Sequence, residues 1–390
     1  MSELVARIAG SSSEIFETIW DSLANPRQLA RPHPFTRHAF FDALEKSNSA
    51  SQVTGWEAAH LIVEEVTKGK PAKAAGLLPL YRKSHSYGEY VFDHAWADAL
   101  MRSGERYYPK LQSSVPFTPV PGKRFLIADD LNHHVIGHAL LNAAKLAVTQ
   151  THSSSLHITF MRKHEWEMAA DLNFLQRTDQ QFHWENRGYK SFDEFLANLS
   201  SSKRKNIRKE RASITKKELS FECHFGDSLT EGIWDAFYEC YIATASRKWN
   251  DPYLTRAFFS RIGETMSDQI LLIMAKLGGR YIAGALNFFD DETIYGRNWG
   301  CTLSVPYLHF ETCYYQAIDT AIKHGFKRVE AGAQGGHKLL RGYMPTPTYS
   351  AHYIVHDEMR RVLREHLEVE RKAVAEHMKD LCALTPFKKS

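Results

Sequence analysis

Internal repetition is the feature that most constrains how this chain can fold. Pro34-Phe-Thr-Arg-His-Ala-Phe-Phe41 is matched in kind by Pro252-Tyr-Leu-Thr-Arg-Ala-Phe-Phe259. Each run continues as a helix, and Asp251-Pro252 supplies a cap and a first-turn proline for the second. An apolar strand follows in each half, Leu61-Ile-Val63 and Ile270-Leu-Leu-Ile-Met274, then a turn with glycine and basic residues. Ala-Ala-Gly76 answers Ile-Ala-Gly284, and Tyr87-Gly88 answers Tyr295-Gly296, both at an offset of 208 residues. Self-similarity of this kind is read before any other fold signal, because it divides the chain into copies of one unit.

The order continues in parallel. Helical stretches over 133–150 and 308–324 are followed by the strands Ser155-Leu-His-Ile-Thr-Phe160 and Arg328-Val-Glu-Ala331. Last strands contain Gln181-Phe-His183-Trp184 and Ser350-Ala-His352-Tyr353. Hairpins joined by crossover helices on one sheet give a layered α/β fold with a mixed, α+β type sheet. This order resembles the acetyltransferase-type (GNAT) fold, duplicated; the alternative is two unrelated α/β domains with coincidental Tyr-Gly pairs. The expected organisation is a first GNAT-like domain over 1–190, a basic helical connector over 191–220, a second GNAT-like domain over 221–355, and a C-terminal helix and tail over 356–390. In that tail Met359, Val362, Leu363, Leu367, Val374, Met378 and Leu381 recur at three- and four-residue steps, predicting an amphipathic helix packed on the body. Its polar face mixes both signs, without the basic excess of membrane-surface helices.

Charge is concentrated. The segment 203–218, KRKNIRKERASITKKE, carries eight Lys or Arg against Glu210 and Glu218, a net +6 in a chain whose total is +4. Such a run invites phosphate, RNA or a headgroup, or forms a solvated helix face between domains. The five cysteines are widely spaced with no Cys-x-x-Cys, which gives neither a disulfide framework nor a thiolate zinc site. No apolar run reaches the ~18 residues of a membrane span, and the N-terminus, with Glu3 and no apolar core, is not a secretory signal. These features predict a cytoplasmic protein with free thiols.

The densest polar loop is Val329-Glu-Ala-Gly-Ala-Gln-Gly-Gly-His-Lys-Leu-Leu-Arg-Gly-Tyr-Met-Pro345. It opens at a strand end, where open α/β sheets place ligands. Gly332, Gly335, Gly336 and Gly342 let backbone amides approach a ligand, and His337, Lys338 and Arg341 add positive charge. The spacing is not that of a Walker loop. The first-half counterpart is Ser86-Tyr-Gly-Glu-Tyr-Val-Phe-Asp-His-Ala-Trp96, where strand alternation would set Tyr87, Glu89 and Val91 on one face. Glu89 or Asp93 would take a proton from an amine or bind one, or serve as a structural acceptor for backbone amides. Tyr107-Tyr-Pro-Lys-Leu111 and Pro116-Phe-Thr-Pro-Val-Pro121 form an aromatic, proline-rich loop that lines a cleft or packs the surface. His134 and His138 stand four apart on a helix, but the sequence shows no third ligand beside them, so no metal is expected. Gly-x-Ser-x-Gly and Gly-x-Gly-x-x-Gly are both absent.

Taken together, several stretches resemble the FemAB-like N-acyltransferases of the peptidoglycan biosynthesis/recognition group. They are Gly88-Glu-Tyr-Val-Phe-Asp93 with Trp96, Tyr107-Tyr-Pro-Lys-Leu111, Pro116-Phe-Thr-Pro119, Gln181-Phe-His-Trp184, Ser201-Ser-Lys-Arg-Lys-Asn-Ile-Arg-Lys-Glu210, and Glu330-Ala-Gly-Ala-Gln-Gly335 with His337-Lys338 and Arg341-Gly342-Tyr343. The wider resemblance is to Fem-type aminoacyltransferases, which have two GNAT-like halves and move an aminoacyl group from aminoacyl-tRNA to an amine of a cell-wall precursor. Residues 203–211 are similar to their basic stretch. Departures stand beside this. The Fem pattern Asp-Phe-Gly-Gly, then Phe-Lys, is Glu330-Ala-Gly-Ala and His337-Lys338 here, and no long coiled-coil arm is evident. The acceptor is therefore left as an amine-bearing small molecule or peptide. The pyrophosphate-binding glycines of acetyl-CoA enzymes are missing from Cys301-Thr-Leu-Ser-Val-Pro-Tyr-Leu-His309 and from Ile127-Ala-Asp-Asp-Leu-Asn-His133.

The resulting expectation is an acyltransferase acting by direct transfer, with no tightly bound cofactor and either aminoacyl-tRNA or acyl-CoA as donor. Glu330, Glu89 and His337 are the catalytic candidates. Lys338, Arg341, Tyr343, Gln334, Asp93, Trp96, Lys110, Arg297 and Trp299 are the substrate-binding ones, with backbone amides near Gly296–Trp299 facing the oxyanion. Lys203, Arg204, Lys205 and Arg208 would meet tRNA. The alternatives are an acyl-CoA-dependent N-acetyltransferase and a non-catalytic pair that binds RNA or a glycan.

Overall fold

The computed structural model describes residues 2–247, 251–332 and 335–388. The first stretch runs β1 (Ser2–Ala9), α1 (Glu17–Ala24), α2 (His38–Lys46), β2 (Trp56–Ala58), β3 (His60–Thr67), β4 (Lys73–Leu78), β5 (Tyr81–Lys83), α3 (His94–Arg102), β6 (Lys110–Ser113), β7 (Leu126–Ile127), α4 (His133–Gln150), β8 (Ser155–Met161), α5 (Lys163–Asp171) and β9 (Leu175–Glu185). The second runs α6 (Phe192–Asn198), α7 (Ser201–Thr215), β10 (Ser220–His224), α8 (Glu231–Arg247), α9 (Arg256–Met266), β11 (Ile270–Leu277), β12 (Arg280–Phe289), β13 (Thr293–Cys301), α10 (Leu308–Phe310), a π-helical turn (Glu311–Tyr315), α11 (Gln316–His324), β14 (Arg328–Glu330), β15 (Met344–Ile354) and α12 (Asp357–Ala383). No helix among the described residues is long and apolar enough to cross a membrane.

The chain forms two compact units that do not follow linear order. One is Met1–Asp179 with Pro347–Ala375; the other is Gln180–Thr346 with Glu376–Ser390. In the first, β1, β3, β4 and β7 form an antiparallel sheet. A second sheet runs β2, β5, β6, β8, with β6 parallel to β8 and the Tyr349–Ile354 end of β15 antiparallel to β8. In the second unit β10 to β13 are antiparallel neighbours, β14 is parallel to β13, and the His183–Glu185 end of β9 is antiparallel to β14. Each unit thus completes its sheet with a strand from the other half of the sequence. The boundaries expected near 190 and 355 fall instead inside or beside these two exchanged strands.

Local sequence explains the elements. Asn132 caps α4 by accepting from the amides of His134 and Val135. The helix buries Ile136, Leu140, Leu141, Ala144 and Val148 against Leu61, Val63 and Leu156. Gly76 makes that approach possible: a Cβ there would stand 2.7 Å from Ile136 Cγ2. Residues 191–220 are no connector. Phe195 and Leu196 of α6, Leu199 just after it and Ile207 of α7 share a core with Trp184, Tyr315 and Val329 of the same unit. The C-terminal helix forms as the periodicity predicts, and Leu363 and Leu367 pack with Trp96, Leu100 and Tyr107.

The repeat holds for α2 and α9, for the hairpins β3–β4 and β11–β12, for α4 and α10–α11, for β8 and β14, and for β9 and β15. Gly76 and Gly284 lie on equivalent strands. The Tyr-Gly pairs do not. Tyr295-Gly296 lies on β13, whereas Tyr87-Gly88 lies in a turn between β5 and α3, with Gly88 at φ +80° against the Phe117 and Trp56 rings. The strand preceding α4 is β7, and residues 79–125 are an insertion carrying β5, α3 and β6. The expected one-face alternation of Tyr87, Glu89 and Val91 fails for the same reason: the segment is turn, with Tyr87 exposed and Glu89 buried.

Close approach of helix to strand decides which glycines matter. A Cβ on Gly300 of β13 would stand 2.3 Å from the Cys240 backbone in α8, whereas one on Gly232 meets nothing within 4 Å. Gly300→Ala is expected to lower stability by about 1–3 kcal/mol through overpacking, while Gly232→Ala leaves it unchanged or higher. Thermal melting of the two variants checks this.

Candidate active site

The parallel ladder between β13 and β14 has three rungs, ending at Tyr295 opposite Glu330. Beyond it β13 runs on to Cys301, paired with β12. The β12–β13 register slips there: Leu286 faces Asn298 and Asn287 faces Gly296, so Arg297 is an extra residue, a β-bulge. A cavity of about 70 Å³ opens where the strands part. Gly296, Arg297, Asn298 and Trp299 line it together with Ala331, and His309, Cys313 and Tyr314 close it from α10 and the π-helical turn. The residues whose amides are expected to face an oxyanion thus line this recess.

Glu330 sits on the last rung, 4% exposed. Val329 joins the apolar core, so alternation turns the Glu330 carboxyl to the opposite sheet face. Its Oε1 is 3.7 Å from His183 Nδ1 on β9, directly opposite in the register. Burial pushes the carboxyl up to about 7, against the pull of Arg297 and Arg328. Burial, reinforced by Arg328, Arg297 and Lys338, holds the His183 imidazole down at about 3. At neutral pH the pair is a carboxyl balanced between its two forms beside a neutral imidazole, not an ion pair. His183 was legible only as part of the motif Gln181-Phe-His-Trp184.

The loop residues divide. His337 Nε2 shares a hydrogen bond of 2.9 Å with the Tyr314 hydroxyl, and burial, then Arg341 and Lys338, depress its pKa. Lys338 is buried, donates to the Gly332 carbonyl at 2.9 Å, and is lowered to about 8 by burial and Arg297. Arg341 is committed to the fold. It donates to both Glu210 oxygens at 2.9 Å, to the Tyr315 hydroxyl at 3.0 Å and to the His337 carbonyl at 2.8 Å, over the Phe310 ring. Tyr343 is wholly buried, edge-on to Tyr314, and forms core instead of pocket wall. Trp299 stands beside His309. Gln334 lies outside the described residues.

On α7, Ile207 and Ile214 are buried. Arg211 bridges Glu311 at 3.0 Å and Asp319 at 2.7 Å. Lys205 and Arg208 are exposed, and Lys203 and Arg204 are half-buried. Arg208 makes a surface pair with Asp193 at 3.1 Å. One face of the helix is anchored and the other presents cations.

The first unit holds a second cluster. Lys110 Nζ donates to Glu89 at 2.7 Å, to Ser86 at 2.8 Å and to Asp93, which also accepts from Tyr107 at 2.6 Å. Lys83 Nζ is 3.9 Å from Glu89 and 3.6 Å from the Trp56 ring centroid. His157 and His352 share an Nδ1–Nδ1 hydrogen bond of 2.7 Å, with Trp96 edge-on to His352. Burial raises Glu89 to about 7 and lowers Lys83 to about 7. Asp93 stays well below the usual carboxylate range because Lys110 and His157 outweigh its burial. Glu89, Asp93, Trp96 and Lys110 are thus brought together. Lys83, His157 and His352 went unread, although alternating Ser155-x-His157-x-Thr159 in a buried strand was a usable signal. A separate cavity of about 360 Å³ in this unit is lined by Arg27, Lys123 and Arg162 with Phe125, Ile127 and His133. Its buried Glu165 is occupied by the amides of Arg124, Phe125 and Arg162 at 2.9–3.2 Å.

Residues 11–389 match the model of the FemAB-like family, described as peptidoglycan biosynthesis/recognition. The chain belongs to the FemAB-like family. That is a family of GNAT-like acyltransferases, and the duplicated GNAT-type fold agrees with it. Solved structures share the fold at low identity. FemX aligns with TM-score 0.54 and 12% identity over 90% of this chain and 98% of its own. The C-terminal domain of a lysylphosphatidylglycerol synthetase from Agrobacterium fabrum gives 0.52 and 8%, covering 90% and 96%. L-PGS from Bacillus licheniformis gives 0.50 and 9%, covering 86% and 98%. A comparison with curated protein sequences returns no match.

Burial of Glu330 has a sign that can be tested. Its folded pKa, about 7, lies above the ordinary 4.5, so its stabilising contribution, present in acid, is lost as pH rises through 7. Glu330→Gln should gain melting temperature relative to the parent between pH 5 and pH 8. Thermal melts at both values measure it; an equal difference at both pH values contradicts it.

Proposed function

We propose that the protein is an N-acyltransferase that passes an acyl group, preferentially aminoacyl, from an activated ester directly to an amine, with Glu330 as the base. The observation that carries this reading is a buried carboxyl balanced near neutrality on the last rung of the ladder, one residue before Ala331, which lines the recess together with Gly296, Arg297, Asn298 and Trp299. A general base works best with a pKa near the operating pH. The acceptor nitrogen attacks the donor carbonyl and the C–N bond forms. Amides of the Gly296–Trp299 bulge hold the oxyanion. The ester C–O bond then breaks, the nitrogen's proton passes to Glu330, and the leaving hydroxyl recovers a proton. His183, neutral beside Glu330, orients the carboxyl without neutralising it. His337 and Lys338 border the acceptor. The enclosed Glu89 is the secondary base candidate, since Lys110 already holds one of its oxygens.

Aminoacyl-tRNA is the favoured donor. The Cys301–His309 turn has no glycine to cradle a pyrophosphate, and α7 offers the exposed Lys205 and Arg208 and the half-buried Lys203 and Arg204 to phosphates. One observation favours acyl-CoA instead: the first unit's cavity is walled by Arg27, Lys123 and Arg162, which suits a phosphate ester. The acceptor is an amine-bearing small molecule or peptide.

Transfer of labelled acyl groups from aminoacyl-tRNA or acyl-CoA to a panel of primary amines tests the reading. The rate should rise with pH through about 7, and Glu330→Gln should lose roughly 10²–10⁴ in kcat. A pH-independent rate untouched by Glu330→Gln overturns the assignment. For the donor, log tRNA affinity should fall with log salt by about 0.9 for each phosphate met. Replacing Lys203, Arg204, Lys205 and Arg208 by Gln should flatten that slope. Salt-independent acyl-CoA binding with no tRNA binding contradicts the tRNA assignment.

A further inference from the structure

His134 and His138 occupy successive turns of α4 with their ring centroids 4.1 Å apart. The fold brings a third group to them. Asp171, the last residue of α5, places Oδ2 3.6 Å from Nε2 of His134 and 3.6 Å from Nε2 of His138. The three ligand atoms all lie within 4.8 Å of one another. At 3.6 Å the carboxylate oxygen is too far to hydrogen-bond either imidazole. Zinc bonds of about 2.0–2.2 Å in a tetrahedron set neighbouring ligand atoms about 3.3–3.4 Å apart. The two carboxylate–imidazole spacings of 3.6 Å are therefore close to the edges of a zinc tetrahedron. A second observation supports this: Nε2 of His138 is closed off from solvent and has no hydrogen-bond partner. The C-terminal end of α5 also adds negative potential at Asp171.

We infer that His134, His138 and Asp171 form a binding site for a divalent transition-metal ion, filled by zinc, that ties α5 to α4. Two imidazoles and one carboxylate favour zinc, nickel or copper over magnesium or calcium. His134 and Asp171 are exposed, which leaves a fourth position to water. The proposal departs from the expectation of no metal: the sequence showed two ligands on one helix, and the fold brings Asp171 of α5 to them as the third. The ion would fix α5, whose Glu165 holds the Arg124 and Phe125 amides at 3.0 and 2.9 Å.

The test is calorimetric titration of Zn²⁺ into the full chain after chelator treatment and dialysis, with thermal melts in Zn²⁺ and in EDTA. One equivalent of Zn²⁺ should bind and raise the melting temperature. His138→Ala and Asp171→Asn should each weaken that binding at least tenfold and abolish the zinc-dependent rise, while melting like the parent in EDTA. His134→Ala, at a mostly exposed position, provides the same reading should His138→Ala fail to fold. Other histidines in the chain could bind zinc, so localisation matters: an anomalous peak at the zinc edge between α4 and α5 is the expected result. No Zn²⁺ binding by the parent, or binding unchanged in the variants, overturns the proposal.

Discussion

The chemistry proposed for the second unit depends on where one parallel ladder stops. β13 and β14 share three rungs, and the bulge at Arg297 then turns β13 away. Had the ladder continued, the Gly296–Trp299 edge would be spent on strand pairing and no recess would exist. The ladder ends at Glu330, whose carboxyl is buried beside His183, and the next residue, Ala331, lines the recess. Burial is the price of that position, and it lifts the carboxyl toward neutrality. The end of the ladder thus sets the recess and the buried carboxyl on successive residues of the chain.

Much of this was legible. Helix and strand order followed from periodicity, α4 matched its expected span of 133–150, and Gly76 and Gly284 marked equivalent strands. The Tyr-Gly match misled because identical dipeptides serve different backbone needs: a left-handed turn at Gly88 and an extended strand at Gly296. Linear domain limits failed because exchange of β9 and β15 leaves no local signal in either strand.

Site residues were legible as types more than as roles. Arg341 reads from sequence as a substrate-binding cation, but its guanidinium meets Glu210, 131 residues away, and that pairing is invisible along the chain. Tyr343 reads as part of a polar loop, yet it faces the core. Asp171 carries no sequence mark linking it to His138. The Lys110 cluster shows the converse case. Its members came from separate motifs: the insertion between β4 and β7 carries Lys83, Glu89, Asp93, Trp96 and Lys110, and β8 and β15 add His157 and His352.

The claim that burial at the end of the ladder poises Glu330 is tested most directly by following glutamate side-chain carbons by NMR during a pH titration of the full chain. The account predicts two carboxyl signals titrating near 7, from Glu89 and Glu330, one of which is missing in Glu330→Gln. A Glu330 signal that titrates near the ordinary 4.5 would contradict it.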